Sequence, residues 1–162
     1  NSGYIDKIAE IADYCCEKYD SHPVFIPMQY PMDFDISQAI ASKMKHKASI
    51  VTKMYSPDII LGLTARLKLM VGMRLHSIIY AATQCIPLIG LVYEPKVAAF
   101  LKEINQPSAG SMDDLNTDEI CEQLDKIWNN QSEIREQLKD SKKHLSIMAQ
   151  ANLSNAYQML KE

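Results

Sequence analysis

Apolar positions along this chain alternate between a helical and a strand-like period. Over residues 4–19, Ile5, Ile8, Ala9, Ile11, Ala12 and Cys15 recur on one side of a helix whose opposite side is charged. Val24-Phe25-Ile26-Pro27-Met28 is a continuous apolar run that reads as a strand, followed by a proline-punctuated loop, Gln29-Tyr30-Pro31-Met32-Asp33. Asp33 or Asp35 is placed to cap a helix carrying Ile36, Ala39, Ile40 and Met44. A second strand is expected at 49–52. Ser56-Pro57-Asp58 marks a helix start with proline at its first position, predicting a helix over 57–65. A strand at 67–71, a helix at 75–85, a strand at 88–92 and a helix at 95–104 complete the pattern.

Short strands alternating with longer helices predict an α/β fold with a parallel sheet covered on both faces. The alternation reads as one domain over 1–105. Gln106-Pro107-Ser108-Ala109-Gly110-Ser111 is turn-rich and reads as the start of a linker over 106–116, after which no further strand is expected. Residues 117–162 are expected to form two helices packing on the domain, one to about Trp128 and one over 131–160. The apolar stripe of the second is Ile134, Leu138, Leu145, Met148, Ala149, Leu153, Ala156 and Leu160. A coiled-coil dimer is the weaker reading of that stripe, because the heptad breaks around Ser141-Lys142.

Composition narrows the function classes. A net charge of −3 over 162 residues provides no field for a polyanion, which argues against a nucleic-acid partner. No apolar run approaches the roughly 18–20 residues needed to span a bilayer. The start Asn1-Ser2-Gly3 has no signal-like character and no Met, and reads as a segment of something longer. Cys15, Cys16, Cys85 and Cys121 lack metal-ligand spacing and are expected to be free thiols. Cys85, Cys121 and one of the adjacent pair would serve as small buried hydrophobes. The four histidines make no ligand cluster, so no metal site is expected.

The candidate chemistry lies at Gly72-Met73-Arg74-Leu75-His76-Ser77, where a strand hands over to a helix. Unpaired N–H groups at a helix start attract anions. Arg74 adds a planar fork suited to phosphate or carboxylate, and His76 a group able to move a proton near neutral pH. Residues two apart do not share a helix face, so both reach one ligand only if Arg74 precedes the helix proper. A strand–turn–helix with two surface polar residues remains the alternative. In open parallel sheets ligands bind beyond the carboxyl ends of the strands. Those ends deliver Gln29, Lys53-Met54-Tyr55, Gly72, Met73, Arg74, Tyr93, Glu94 and Lys96. Lys96 reads equally as a solvated first-turn lysine, and Glu94 as a carboxylate favoured by the helix dipole.

The run Val71-Gly72-Met73-Arg74-Leu75-His76-Ser77-Ile78-Ile79-Tyr80-Ala81-Ala82, with the block Ile86-Pro87-Leu88-Ile89-Gly90-Leu91-Val92-Tyr93-Glu94-Pro95-Lys96-Val97, resembles the polysaccharide pyruvyl transferase family. Val24-Phe25-Ile26-Pro27-Met28-Gln29 is also similar to a strand and loop of that family. The likeness covers most of residues 4–104, and Glu94 stands where the family commonly has aspartate.

The resemblance implies a Rossmann-like, GT-B-type C-terminal domain of a two-domain enzyme. It would be a cytoplasmic transferase of exopolysaccharide or cell-wall biosynthesis, with peripheral contact at the inner membrane face compatible with that role. The donor it implies is phosphoenolpyruvate, and the acceptor a sugar or lipid-linked saccharide, with no further cofactor. Arg74 and His76 match the expected donor-anion contacts and are the candidate catalytic pair. Gly72, Met73, Gln29, Tyr93, Glu94 and Lys96 are candidate lining residues. An N-terminal domain would supply the acceptor wall, so this part alone is expected to be inactive. Family topology also suggests a strand just before Asn1, lying mid-sheet, which predicts a gap between strands 24–28 and 67–71. Two alternatives stand beside this reading. One is a nucleotide-sugar-binding domain of a glycosyltransferase or epimerase, which the scarcity of glycine weighs against. The other is a non-catalytic α/β interaction module.

Overall fold

A computed structural model describes residues 3–111 and 114–159. Helices and strands alternate in the order α1 (Gly3–Tyr19), β1 (Val24–Phe25), α2 (Met32–Lys43), β2 (Ser49–Ile50), α3 (Pro57–Thr64), β3 (Met70–Gly72), α4 (Leu75–Thr83), β4 (Leu88–Val92), α5 (Pro95–Glu103) and β5 (Ser108–Ser111). Two helices follow, α6 (Thr117–Asn129) and α7 (Gln131–Met159). All strand pairs are parallel, and they form two small sheets, β1-β2 and β3-β4-β5. The protein is therefore a Rossmann-like α/β fold with two C-terminal helices.

Strand lengths depart from expectation for local reasons. Prolines at 23 and 27 bracket β1, and a proline N–H cannot join a ladder. β3 starts at Met70 rather than 67, because the exit from α3 continues as a turn, with Leu67 N–H bonded to Thr64 O (3.0 Å). The gap expected between the first and third strands is present: β1 and β3 belong to separate sheets.

The segment read as a linker needs correction. Ser108–Ser111 is a fifth strand, parallel to β4, with an irregularity in register between Gly90 and Val92. The chain reaches it through a helix ending that recurs. After α4, Cys85 takes a positive φ of 53°, Cys85 N–H bonds Ala82 O (3.0 Å) and Ile86 N–H bonds Ala81 O (2.8 Å). After α5, Asn105 takes the same φ, Asn105 N–H bonds Lys102 O (3.2 Å) and Gln106 N–H bonds Leu101 O (2.9 Å). Both are Schellman endings, which satisfy the last carbonyls and turn the chain back toward the sheet.

β4 shows why both faces of the sheet must be covered. Side chains alternate along a strand. Leu88 packs with Ile78, Ala81 and Ala82 of α4, Val97 and Leu101 of α5, and Leu138 of α7. Ile89 and Leu91 pack on the other face, with Ile11 of α1 and Ile120, Leu124 and Ile127 of α6. α7 is only half an edge helix. Ile134, Leu138 and Leu145 join the core, whereas Met148, Ala149 and Leu153 are exposed. The side chain of Ala156 and residue Leu160 lie outside the described residues. Among the described residues no helix is long and apolar enough to cross a membrane.

The four cysteines are free and half-buried rather than fully buried. Burial pushes the Cys15 thiol up to about 12 and the Cys121 thiol up to about 11.

Candidate active site

Arg74 is the residue immediately before α4, with extended backbone angles (φ −76°, ψ 133°). It therefore meets the condition that the sequence set for it to share a ligand with the start of the helix. Ser77 closes the turn by donating its hydroxyl to Arg74 O (2.7 Å). Gly72 is buried behind it. A Cβ there would lie 3.0 Å from Ile78 Cγ1 and 3.2 Å from Ser77 Oγ, so a small residue lets β3 run close under the first turn of α4.

The guanidinium is not free. Its Nη2 donates to Asp33 Oδ1 at 2.7 Å and its Nε to Asp33 Oδ2 at 3.4 Å. The Asp33 carboxylate is itself held from the other side, accepting from Met28 N–H (3.1 Å) and Gln29 N–H (2.9 Å). It therefore does not cap α2 through its first-turn amides, as expected. The residue before α2 is Pro31, and Asp33 instead fastens the loop after β1 to the start of α4. The Asp33 bond, and after it the Tyr93 hydroxyl, hold Arg74 above its ordinary pKa, so the charge is fixed. Arg74 Cζ also stands 5.9 Å from the Tyr93 ring centroid, within reach of a cation–π contact.

The third side is the start of α5. Glu94 occupies the cap position, without a side-chain capping bond, and pairs with Lys96 Nζ at 2.6 Å. That bond lowers the Glu94 pKa and raises that of Lys96. Lys96 is thus neither a lone solvated lysine nor a free cation for a ligand.

The expected set is brought together only in part. Gly72, Met73 and Arg74 line one cavity together with Met28, Asp33 and Ser77. Gln29 contributes through its backbone, with its side chain exposed. Tyr93 is exposed and joins through its ring. His76 is exposed at the second position of α4, and no hydrogen bond or ion pair among the described residues joins it to Arg74. Lys53 lies apart, its Nζ 5.2 Å from the Tyr55 ring centroid. Asp33 is the site residue that the sequence did not single out in this role. It lies 41 residues before Arg74, and only the proline-bounded loop after an apolar strand hinted at it.

The sequence profile of the polysaccharide pyruvyl transferase family matches residues 1–95, a span that holds Asp33, Gly72, Arg74, His76, Tyr93 and Glu94. The chain belongs to this family. Lys96 and the elements from α5 onward lie just outside the matched span. No curated protein and no solved structure matches the chain.

Proposed function

We propose that this chain is the donor-binding half of a pyruvyl transferase of GT-B type. It would move the enolpyruvyl group of phosphoenolpyruvate onto a sugar or lipid-linked saccharide in the cytoplasm, at the inner face of the membrane. The observation that carries the reading is the placement of Arg74. It is an aligned guanidinium at the cap of α4, beside the N–H groups of that helix and at the carboxyl ends of β1, β3 and β4. Asp33 takes the Nε and Nη2 side of the fork, which leaves Nη1 for a ligand oxygen.

The chemistry suits such a site. Two sugar hydroxyl oxygens form bonds to C2 of the donor, its methylene carbon gains a proton and becomes methyl, and phosphate leaves with the bridging oxygen. The hydroxyl protons pass to the bases that accept them. Arg74 and the α4 amides bind the donor's anionic oxygens and stabilise the charge that collects on the departing phosphate. His76, exposed beside them, supplies or relays the proton. A second domain carries the acceptor and excludes water from the cleft.

The test compares Arg74→Lys and His76→Asn in the two-domain enzyme that this reading requires. Lysine keeps the charge but loses the fork, so Arg74→Lys should weaken phosphoenolpyruvate binding by about 1.5–3 kcal/mol, the scale of a hydrogen bond to a charged group. His76→Asn should lower the single-turnover rate more than donor affinity. Unchanged affinity and rate in both variants would refute the assignment.

A further inference from the structure

The two sheets face one another across an apolar cavity of about 620 Å³, and its walls are strand edges. On the β1 side, Pro23 O accepts from Ser49 N–H (2.9 Å) and Phe25 O from Val51 N–H (3.0 Å). In a parallel ladder a residue's N–H and C=O point the same way and its neighbour's point the other. Val24 and Ile26 therefore aim their backbone groups away from β2. On the β3 side, Met70 N–H donates to Pro87 O (2.9 Å), so Met70 and Gly72 face β4 while Leu69 and Val71 aim away. Val24, Ile26, Leu69 and Val71 all line this one cavity.

Direction and cover are equally defined. The Arg74–Asp33 bond ties the segment after β3 to the segment after β1, so both strands point their carboxyl ends to the same end of the cavity. α1 roofs it with Tyr4, Ile8, Ile11, Ala12, Cys15 and Tyr19, a single helical face running from its first turn to its last. A crossover helix lies over the strands it joins, and α1 leads into β1 at the edge of this cavity.

We propose that the cavity is a strand slot. It takes an extended apolar segment joined to the N-terminal end of α1 and parallel to β1 and β3, which merges the two sheets into one. Two rows of backbone donors and acceptors in an apolar enclosure need partners, and a strand supplies both rows at once at the usual ~4.8 Å spacing. A compact apolar ligand would fill volume but leave those groups unmatched. The inserted strand would end beside Met28, Asp33 and Arg74, and its last residue would complete the wall of the candidate site. The slot does not depend on the pyruvyl transfer reading.

The test adds a Val/Ile segment of about five residues, the common strand length, ahead of Asn1 through a short Ser-Gly-Asn connector. The control carries proline at the centre of the same segment. Amide hydrogen exchange of Ile26 and Val71 is the readout. Both amides should exchange at least about tenfold more slowly with the intact segment than with the control or the unextended chain. Unchanged exchange would overturn the proposal. So would slowing of one amide alone, which signals a strand on a single edge, and so would equal slowing by the proline control, which signals apolar filling without pairing.

Discussion

Arg74 and Asp33 form a two-point contact, Nη2 to Oδ1 at 2.7 Å and Nε to Oδ2 at 3.4 Å, across side chains only 25% and 12% exposed. Shielded to that degree, the pair is worth more than a surface ion pair, whose usual value is between about 0 and 1 kcal/mol. Asp33 also accepts from two loop amides, so it orders the loop and the guanidinium together.

A double-mutant cycle of Asp33→Asn with Arg74→Gln should therefore return a coupling of at least about 1 kcal/mol in urea unfolding. Asp33→Ala should cost more than Asp33→Asn, by about 1 kcal/mol, because alanine leaves the Met28 and Gln29 amides without their acceptor. Additive single-site effects would mean that the two side chains are neighbours without being partners.

The contrast between Arg74 and Asp33 also explains what could be read in advance. Arg74 sits in a local signature, a glycine-ended strand running into an apolar helix, and local patterns are legible. Its partner comes from the loop after β1, and nothing in the spacing of a single chain links positions 41 residues apart. The strand β5 was hidden for a different reason. Ser108-Ala109-Gly110-Ser111 has neither β-branched nor aromatic side chains, and its strand conformation comes from pairing with β4. The helices were legible nearly to the residue where a proline or a capping side chain marks the start, as at Pro57, Pro95 and Asn116. The exposed second half of α7 was not, because a stripe shows which face is apolar and not whether anything covers it.

Gly90 should resist even the smallest enlargement. A Cβ there would run into Leu101 Cδ1, with Cδ2 at 2.8 Å and Cγ at 2.9 Å, and Leu101 is fully buried between β4 and α5. Gly90→Ala should cost about 1–3 kcal/mol, the range for overpacking, by denaturant unfolding. Because β4 leads directly to Tyr93 and Glu94, the same variant should broaden the Tyr93 ring resonances. Wild-type stability in Gly90→Ala would show that α5 shifts away freely.

Cys85 holds a left-handed backbone conformation (φ 53°) that glycine adopts without penalty. For other residues the left-handed region costs roughly 1–2 kcal/mol. Cys85→Gly should therefore hold or raise stability by up to about 1 kcal/mol, the lost thiol packing offsetting part of the gain. Cys85→Val should lower it, since β-branched side chains are the least tolerant of positive φ. Urea midpoints of the two variants, in the opposite order, would show that packing rather than backbone angle governs this turn.

The last prediction concerns pH and the clasp between α1 and α6. Asp125 accepts from the hydroxyls of Tyr19 and Tyr14 (3.0 Å to each oxygen for Tyr14), and Tyr19 stacks on Trp128 with ring centroids 4.5 Å apart. The Tyr19 bond, ahead of those from Tyr14 and Lys18, pulls the Asp125 carboxyl below its ordinary pKa. Tyr19 is raised, by burial first and by the carboxylate second, so its hydroxyl keeps its proton and remains a donor. A carboxyl whose pKa is lower in the folded state contributes stability above its unfolded pKa, and that stability is lost as pH falls through the folded value. Stability should thus decline on acidification between about pH 5 and pH 1, with Asp125 contributing to the slope. Tyr19→Phe removes the largest of the bonds, so the Asp125 carboxyl should titrate higher, closer to its ordinary value, and the acid-side slope of the unfolding midpoint should flatten. Carboxyl carbon shifts of Asp125 against pH, in the wild type and in Tyr19→Phe, measure this directly. Identical titrations would show that the tyrosines pack against the carboxylate without binding it.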